Sequence, residues 1–231
     1  MMIWIILIAV PLVLALYAQM RVMSAYQKNV GIASRGGITG REAAAAVMES
    51  AGVRDVEIVE VEGMLSDHYD PSARRLALSS ANYHGSSLAA VGVAAHEAGH
   101  AIQHKVGYAM MEVRQSLVPA MQLAAPIAGL FYGLGIWVFG AAMGGLVLKI
   151  ALGALVVVAF FQFVTLPVEF DATKRAKLQL VNLGILERDE MVGVNETLDA
   201  AALTYVAAFV TSLGQILHLL LLLGGGSRRD D

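Results

Sequence analysis

His96-Glu97-Ala98-Gly99-His100 brings together the residue types of a hydrolytic metal site. On an α-helix, residues four apart share a face, so the two imidazoles can meet one ion. Glu97 sits beside the first histidine, close enough to reach a water on that ion without serving as a ligand. Two nitrogen ligands, an open position for water and a carboxylate base make the zinc hydrolase arrangement. The bland alternative is two histidines on an ordinary buried helix. Against it, residues 88–102 carry no charge except Glu97. A buried glutamate between two buried histidines needs a compensating partner, and a metal supplies one.

The rest of the ligand set must come from elsewhere. The chain of 231 residues has no cysteine, which excludes disulfides, thiolate zinc sites and cysteine nucleophiles. The place six residues after His100, where a metzincin carries its third histidine, is Val106. His104 lies about 12 Å from His96 along a helix axis and cannot join both histidines on one ion; it reads as a polar helix end or a substrate-side residue. No Asp-Gly dipeptide offers the later ligand of an intramembrane protease. A gluzincin needs a glutamate on a second helix, and Glu169 follows directly on the long apolar span that begins after the zinc helix. If that span crosses and returns, Glu169 re-emerges close to where His100 departed. We therefore expect one zinc ion per chain on His96, His100 and Glu169. The alternative for Glu169 is an interfacial carboxylate paired with Lys174 or Arg175.

The elements that must hold these groups are mostly apolar. A hydrophobic fraction of 57% and a mean hydropathy of +0.64 exceed those of a soluble domain and point to the bilayer. A net charge of −3 gives no basic surface for nucleic acid. Residues 3–20 form an apolar run with Pro11 at its middle. No positive segment precedes it and no A-x-A site follows, so it reads as a transmembrane helix rather than a signal peptide. Arg21, Lys28, Arg35 and Arg41 follow it, which places the next domain in the cytoplasm by the positive-inside rule.

Residues 31–37 read as a linker. Thr39-Gly40-Arg41-Glu42 is a capping box for a helix through Ser50, stopped by Gly52. Val56–Val61 alternates like a half-exposed strand, Asp67-His68-Tyr69-Asp70-Pro71 is turn chemistry, and Arg75–Ser79 reads as a returning strand. The zinc helix starts near Ser86 or Ser87. From Leu117 to Val168 the only charge is Lys149, giving two crossings with a Gly-rich turn near Gly140–Gly145. A further apolar segment runs from about Ala200 to Leu223, followed by Arg228-Arg229-Asp230-Asp231. The expected fold is a mainly α integral membrane protein: about four transmembrane helices with a small α+β gluzincin-like zinc metallopeptidase domain. We divide it into an anchor (1–20), the cytosolic part of the metallopeptidase domain (21–116), a transmembrane hairpin (117–168), a third-ligand helix and connector (169–199), and a C-terminal transmembrane helix and tail (200–231).

Four segments together resemble a known family: Asp67-His68-Tyr69-Asp70-Pro71, His96-Glu97-Ala98-Gly99-His100-Ala101-Ile102-Gln103, Leu166-Pro167-Val168-Glu169-Phe170-Asp171 and Ala202-Leu203-Thr204-Tyr205-Val206. They are similar to the bacterial YugP-like membrane zinc metallopeptidases, and the likeness covers nearly the whole chain. It implies a neutral zinc metallopeptidase anchored in the cytoplasmic membrane, and brings no substrate with it. More distantly the layout is similar to HtpX-type proteases, which carry Glu-x-x-x-Asp after the hairpin. Here the fourth position after Glu169 is Thr173, and Asp171 stands two residues along.

The expected reaction is peptide hydrolysis with Glu97 as general base. A protein donor would assist at the oxyanion, and Tyr205, His68 and Arg175 are the candidates. Asp171 is the expected outer partner of a ligand histidine's other N–H. Leu76–Ser79 could take an extended peptide by edge addition, or be an interior strand. The partners expected are a peptide or membrane-protein substrate and the lipid bilayer. Two other classes compete. A non-catalytic scaffold or chaperone-like protein with a vestigial zinc site has no need of Glu97. A membrane zinc carrier would place polar ligands within its spans, where only Lys149 and His218 lie; His218, in a Leu-rich run, reads as a packing or interfacial residue.

Overall fold

The computed structural model describes the backbone of residues 2–138 and 140–226, and the side chains of residues 6–133 and 145–224. Its elements are α1 (Met2–Val30), α2 (Gly40–Ser50), β1 (Glu57–Val61), β2 (His68–Asp70), β3 (Arg75–Ser79), α3 (Ser80–His84), α4 (Leu88–Lys105), α5 (Ala109–Val138), α6 (Gly140–Asn182) and α7 (Met191–Gly226). They form two compact units that interleave along the chain. One contains residues 1–17, 113–166 and 204–231, and the other residues 18–112 and 167–203.

The described residues of the first unit are all helical. Among the described residues four helices are long and apolar enough to cross a membrane: Ile6–Val30, Ala109–Gly133, Gly145–Asn182 and Met191–Gly224. The fold is thus that of a mainly α membrane protein with a small α+β part. Ala124, Ala128, Ala151, Leu155 and Leu219 form the interior of this unit, while Leu123, Val156, Phe160 and Leu217 face outward. An apolar exterior on such helices suits lipid. His218 is buried, and its Nδ1 lies 2.9 Å from the Tyr132 hydroxyl, as a packing residue's would. Pro11 removes the N–H that the Leu7 carbonyl would otherwise accept in α1. Gly214 of α7 sits against that spot, for a Cβ there would lie 2.8 Å from the Leu7 oxygen.

The second unit carries the sheet, with strand order β1-β3-β2. β3 runs parallel to β1, pairing Ile58 with Leu76 and Glu60 with Leu78, and antiparallel to β2, pairing Tyr69 with Leu76. Leu76 and Leu78 point into a core shared with Ala43, Ala44 and Val47 of α2 and Val91, Ala94, Ala95 and Ala98 of α4. The capping box forms as its sequence dictates: Thr39 accepts from the Glu42 N–H and the Glu42 carboxylate accepts from the Thr39 N–H. Gly52 takes φ +70° just past the helix end, where a Cβ would be strained.

Several boundaries differ from those read in the sequence. β3 lies between two strands, so Leu76–Ser79 has no open edge to offer a peptide. The stretch read as a turn at Asp67–Pro71 contains β2, and the reversal comes after it, where Asp70 Oδ1 accepts from the N–H groups of Ser72 and Ala73. Asp67 binds the Ser79 N–H at 2.8 Å and the Asn82 amide at 2.9 Å, which fixes the entry into the sheet. Gly140–Gly145 is helical and opens α6 instead of forming the turn; residue 139 and the tail from 227 lie outside the described residues. α1, α5 and α7 extend beyond the apolar runs because polar turns continue them.

Candidate metal centre

α4 is built to come close to its neighbours. Ser87 caps it, its side chain accepting from the Ala90 N–H at 3.1 Å, and alanine and glycine make up much of its buried surface. Between the two histidines, Gly99 meets the backbone of α6: a Cβ there would stand 2.6 Å from the Ala172 oxygen. α6 presents Val168, Ala172, Ala176 and Leu180, all buried and four residues apart, so one helical stripe packs inward. Glu169 follows Val168 and is carried to the histidines by this close crossing.

His96, His100 and Glu169 offer ligand atoms that all lie within 4.8 Å of one another. Glu169 Oε2 is 3.2 Å from His96 Nε2 and 3.4 Å from His100 Nε2. The imidazoles stand edge to face with ring centres 4.8 Å apart. Tetrahedral zinc with bonds of about 2.0–2.1 Å separates its ligand atoms by about 3.3–3.4 Å. Two nitrogens and a carboxylate oxygen fit that ion in donor chemistry, and both nitrogen–oxygen separations match its spacing.

The electrostatics agree. Glu169 is 2% exposed, His100 6% and Glu97 8%. Burial alone would lower the pKa of His100, but the Glu169 hydrogen bond and charge, together with Glu97 and Gln103, outweigh it and raise it above the ordinary histidine value. The Glu169 carboxylate thus favours the protonated form of His100.

Around the ligands lies a second set of groups. His96 Nδ1 is 3.1 Å from Thr173 Oγ1, and His100 Nδ1 is 3.0 Å from Gln103 Oε1. The Gln103 amide donates to the Val168 carbonyl at 2.8 Å and to Asp171 Oδ2 at 2.9 Å. Asp171 also accepts from Arg175 Nε at 2.5 Å, and the Arg175 guanidinium lies over the Tyr108 ring. Asp171 therefore reaches Gln103, and the Nδ1 atoms of the two histidines face neutral side chains. Neither Gln103 nor Thr173 announces itself by type. Their signal is spacing alone: three residues after His100 and four after Glu169, each on its ligand's own helix face.

His68 is exposed on β2, its Nδ1 2.8 Å from the Ser66 carbonyl oxygen. Arg175 is engaged by Asp171. Tyr205 belongs to the helical unit. His104 is exposed at the end of α4 and lies 2.7 Å from the Tyr69 hydroxyl.

Comparison with known proteins also points to zinc. Residues 4–224 match the family described as "Putative neutral zinc metallopeptidase". The chain is 40% identical over 232 residues to "Putative membrane protease YugP" of Bacillus subtilis (strain 168), covering the whole of both chains. No solved structure matches it. Matched along nearly its entire length, the chain belongs to this zinc metallopeptidase family.

Proposed function

We propose that the protein is a membrane-embedded, zinc-dependent endopeptidase. His96, His100 and Glu169 hold the ion, and Glu97 is the general base. The observation that carries this reading is the convergence of three ligand atoms within 4.8 Å, with the buried Glu97 next to His96 in the chain.

Bound zinc supplies Lewis acidity and brings the pKa of water down towards about 7. The residues of the chain do the rest. Glu97 accepts the proton of the attacking water on its carboxylate and delivers it to the leaving amine, so one group serves both halves of the reaction. Burial keeps water from competing for that carboxylate and strengthens its interaction with the charge that develops next to it. His96 and His100 present Nε2, each with its Nδ1 held from behind. The substrate is a peptide or membrane protein, met at the cytoplasmic membrane with the site on the cytoplasmic side, as the arginines and lysine after the first span indicate.

The test is metal content of the detergent-purified protein together with peptide hydrolysis. Wild type should carry about one zinc per chain, as a single three-ligand site requires. Glu169→Ala should lose it, and Glu97→Gln should keep it while hydrolysis is abolished. A wild type that binds no zinc after metal is added back would move the non-catalytic scaffold to the front.

A further inference from the structure

We infer that Gln103 is the positioning residue of the metal site: it fixes the His100 ring so that Nε2, and not Nδ1, faces the ion. The inference rests on the zinc reading above and adds a role that the zinc motif itself does not contain.

The Gln103 side chain is completely buried, at 0% exposure. Its nitrogen faces the Val168 carbonyl and the Asp171 carboxylate. A carbonyl can only accept, and the Asp171 carboxylate already accepts from Arg175. The two ends of the amide are therefore distinguishable by their partners. The nitrogen must point to α6, and Oε1 must point to His100. Oε1 can only accept, so His100 Nδ1 carries hydrogen. Nε2 is then the ring atom left for a metal, and it is the atom 3.4 Å from Glu169 Oε2.

The same side chain reaches the other ligand helix. Val168 immediately precedes Glu169, so the bond to its carbonyl ties the backbone beside Glu169 to the ring of His100. Asp171, Arg175 and Tyr108 continue the chain of contacts outward and hold the amide from behind. The type of residue also matters. Glu97 and Glu169 already place two carboxylates in a buried space, and a third charge against His100 would need a further partner. An amide orients the ring without adding one. Thr173 faces His96 in the same neutral way, but a hydroxyl donates or accepts and cannot by itself select the tautomer. The selection falls to Gln103.

The experiment measures zinc affinity by chelator competition, and visible absorption of the cobalt(II)-loaded protein. Gln103→Met keeps the length of the side chain and removes both acceptor and donor. It should weaken zinc about 10–100-fold and alter the cobalt spectrum, since the ring it releases is a ligand. Nitrogen NMR of the zinc-loaded wild type with labelled histidine is the second measurement, and it stands even if Gln103→Met does not fold: the His100 ring should show a protonated Nδ1 and a metal-bound Nε2. A Gln103→Met protein with wild-type affinity and spectrum overturns the inference. So does a zinc-loaded wild type in which His100 binds the metal through Nδ1. A wild type that binds neither metal would instead refute the zinc site itself.

Discussion

Gly99→Ala is the smallest change that should separate the two ligand-bearing helices. A Cβ at this position would lie 2.6 Å from the Ala172 oxygen, 3.1 Å from its carbonyl carbon and 3.2 Å from its Cα. All three are backbone atoms of α6, so no rotamer change relieves them. Ordinary contact begins at 3.4 Å, and the helices must part locally by about 0.8 Å. Overpacking of this kind costs about 1–3 kcal/mol, while alanine gains about 1 kcal/mol over glycine within a helix. The net loss of fold stability is therefore modest, about 1 kcal/mol. The effect on the metal is larger. Glu169 moves with Ala172, one turn away on α6, and metal coordination tolerates displacements of about 0.2 Å. Zinc affinity, measured by chelator competition in detergent, should fall at least about tenfold, or about 1.4 kcal/mol. The metal-free protein should melt only slightly earlier. Gly92→Ala is the control on the same helix. There the three atoms nearest a Cβ all belong to the Val194 side chain, the first at 3.1 Å, and that side chain can shift. Wild-type zinc affinity in Gly99→Ala would refute the claim that this crossing sets the position of Glu169.

Three further outcomes follow from the same geometry. Zinc affinity should rise with pH and level off once the raised pKa of His100 is passed, because zinc must displace a proton that the metal-free site holds; the same proton stabilises the metal-free fold below about pH 6.5 and is lost as pH rises through the folded pKa. Competition titrations across that range that show no slope would refute it. Asp67→Ala leaves the Ser79 N–H and the buried Asn82 amide without their carboxylate; it should cost about 2–3 kcal/mol and lower the thermal midpoint clearly, and an unchanged midpoint would show that water replaces it. Thr39→Ala removes the capping box of α2 and should cost about 1 kcal/mol, visible as a smaller drop in the same melting experiment with zinc stoichiometry unchanged.

Much of the site was legible because its signals are chemical. The two histidines announce themselves by a spacing of four. Glu169 stands out as the first acidic side chain after a span whose only charge is Lys149. The capping box likewise follows from residue types alone. The sheet was harder to read. β2 has three residues, His68, Tyr69 and Asp70, too few for alternation to show, and it borrows its extended form from pairing with β3. The parallel pairing of β1 with β3 is a tertiary choice that no local pattern encodes. The length of α6 was hidden for a related reason: its apolar run ends near Pro167, but the inward stripe of Val168, Ala172, Ala176 and Leu180 continues the helix through a charged stretch. Gln103 and Thr173 escaped because an uncharged side chain on a helix has no signature until its partners are known.

The interleaving of the two units has a consequence in time. His96 and Glu169 are 73 residues apart in the chain, and most of what separates them belongs to the helical unit. At about 5–20 residues per second of synthesis, roughly 4–15 s pass between the appearance of the first ligand and of the third. Through that interval the nascent chain carries Glu97 and the two histidines but not the carboxylate of Glu169. On the function proposed above, a chain arrested before α6 has been made lacks one of its three ligands and is inert.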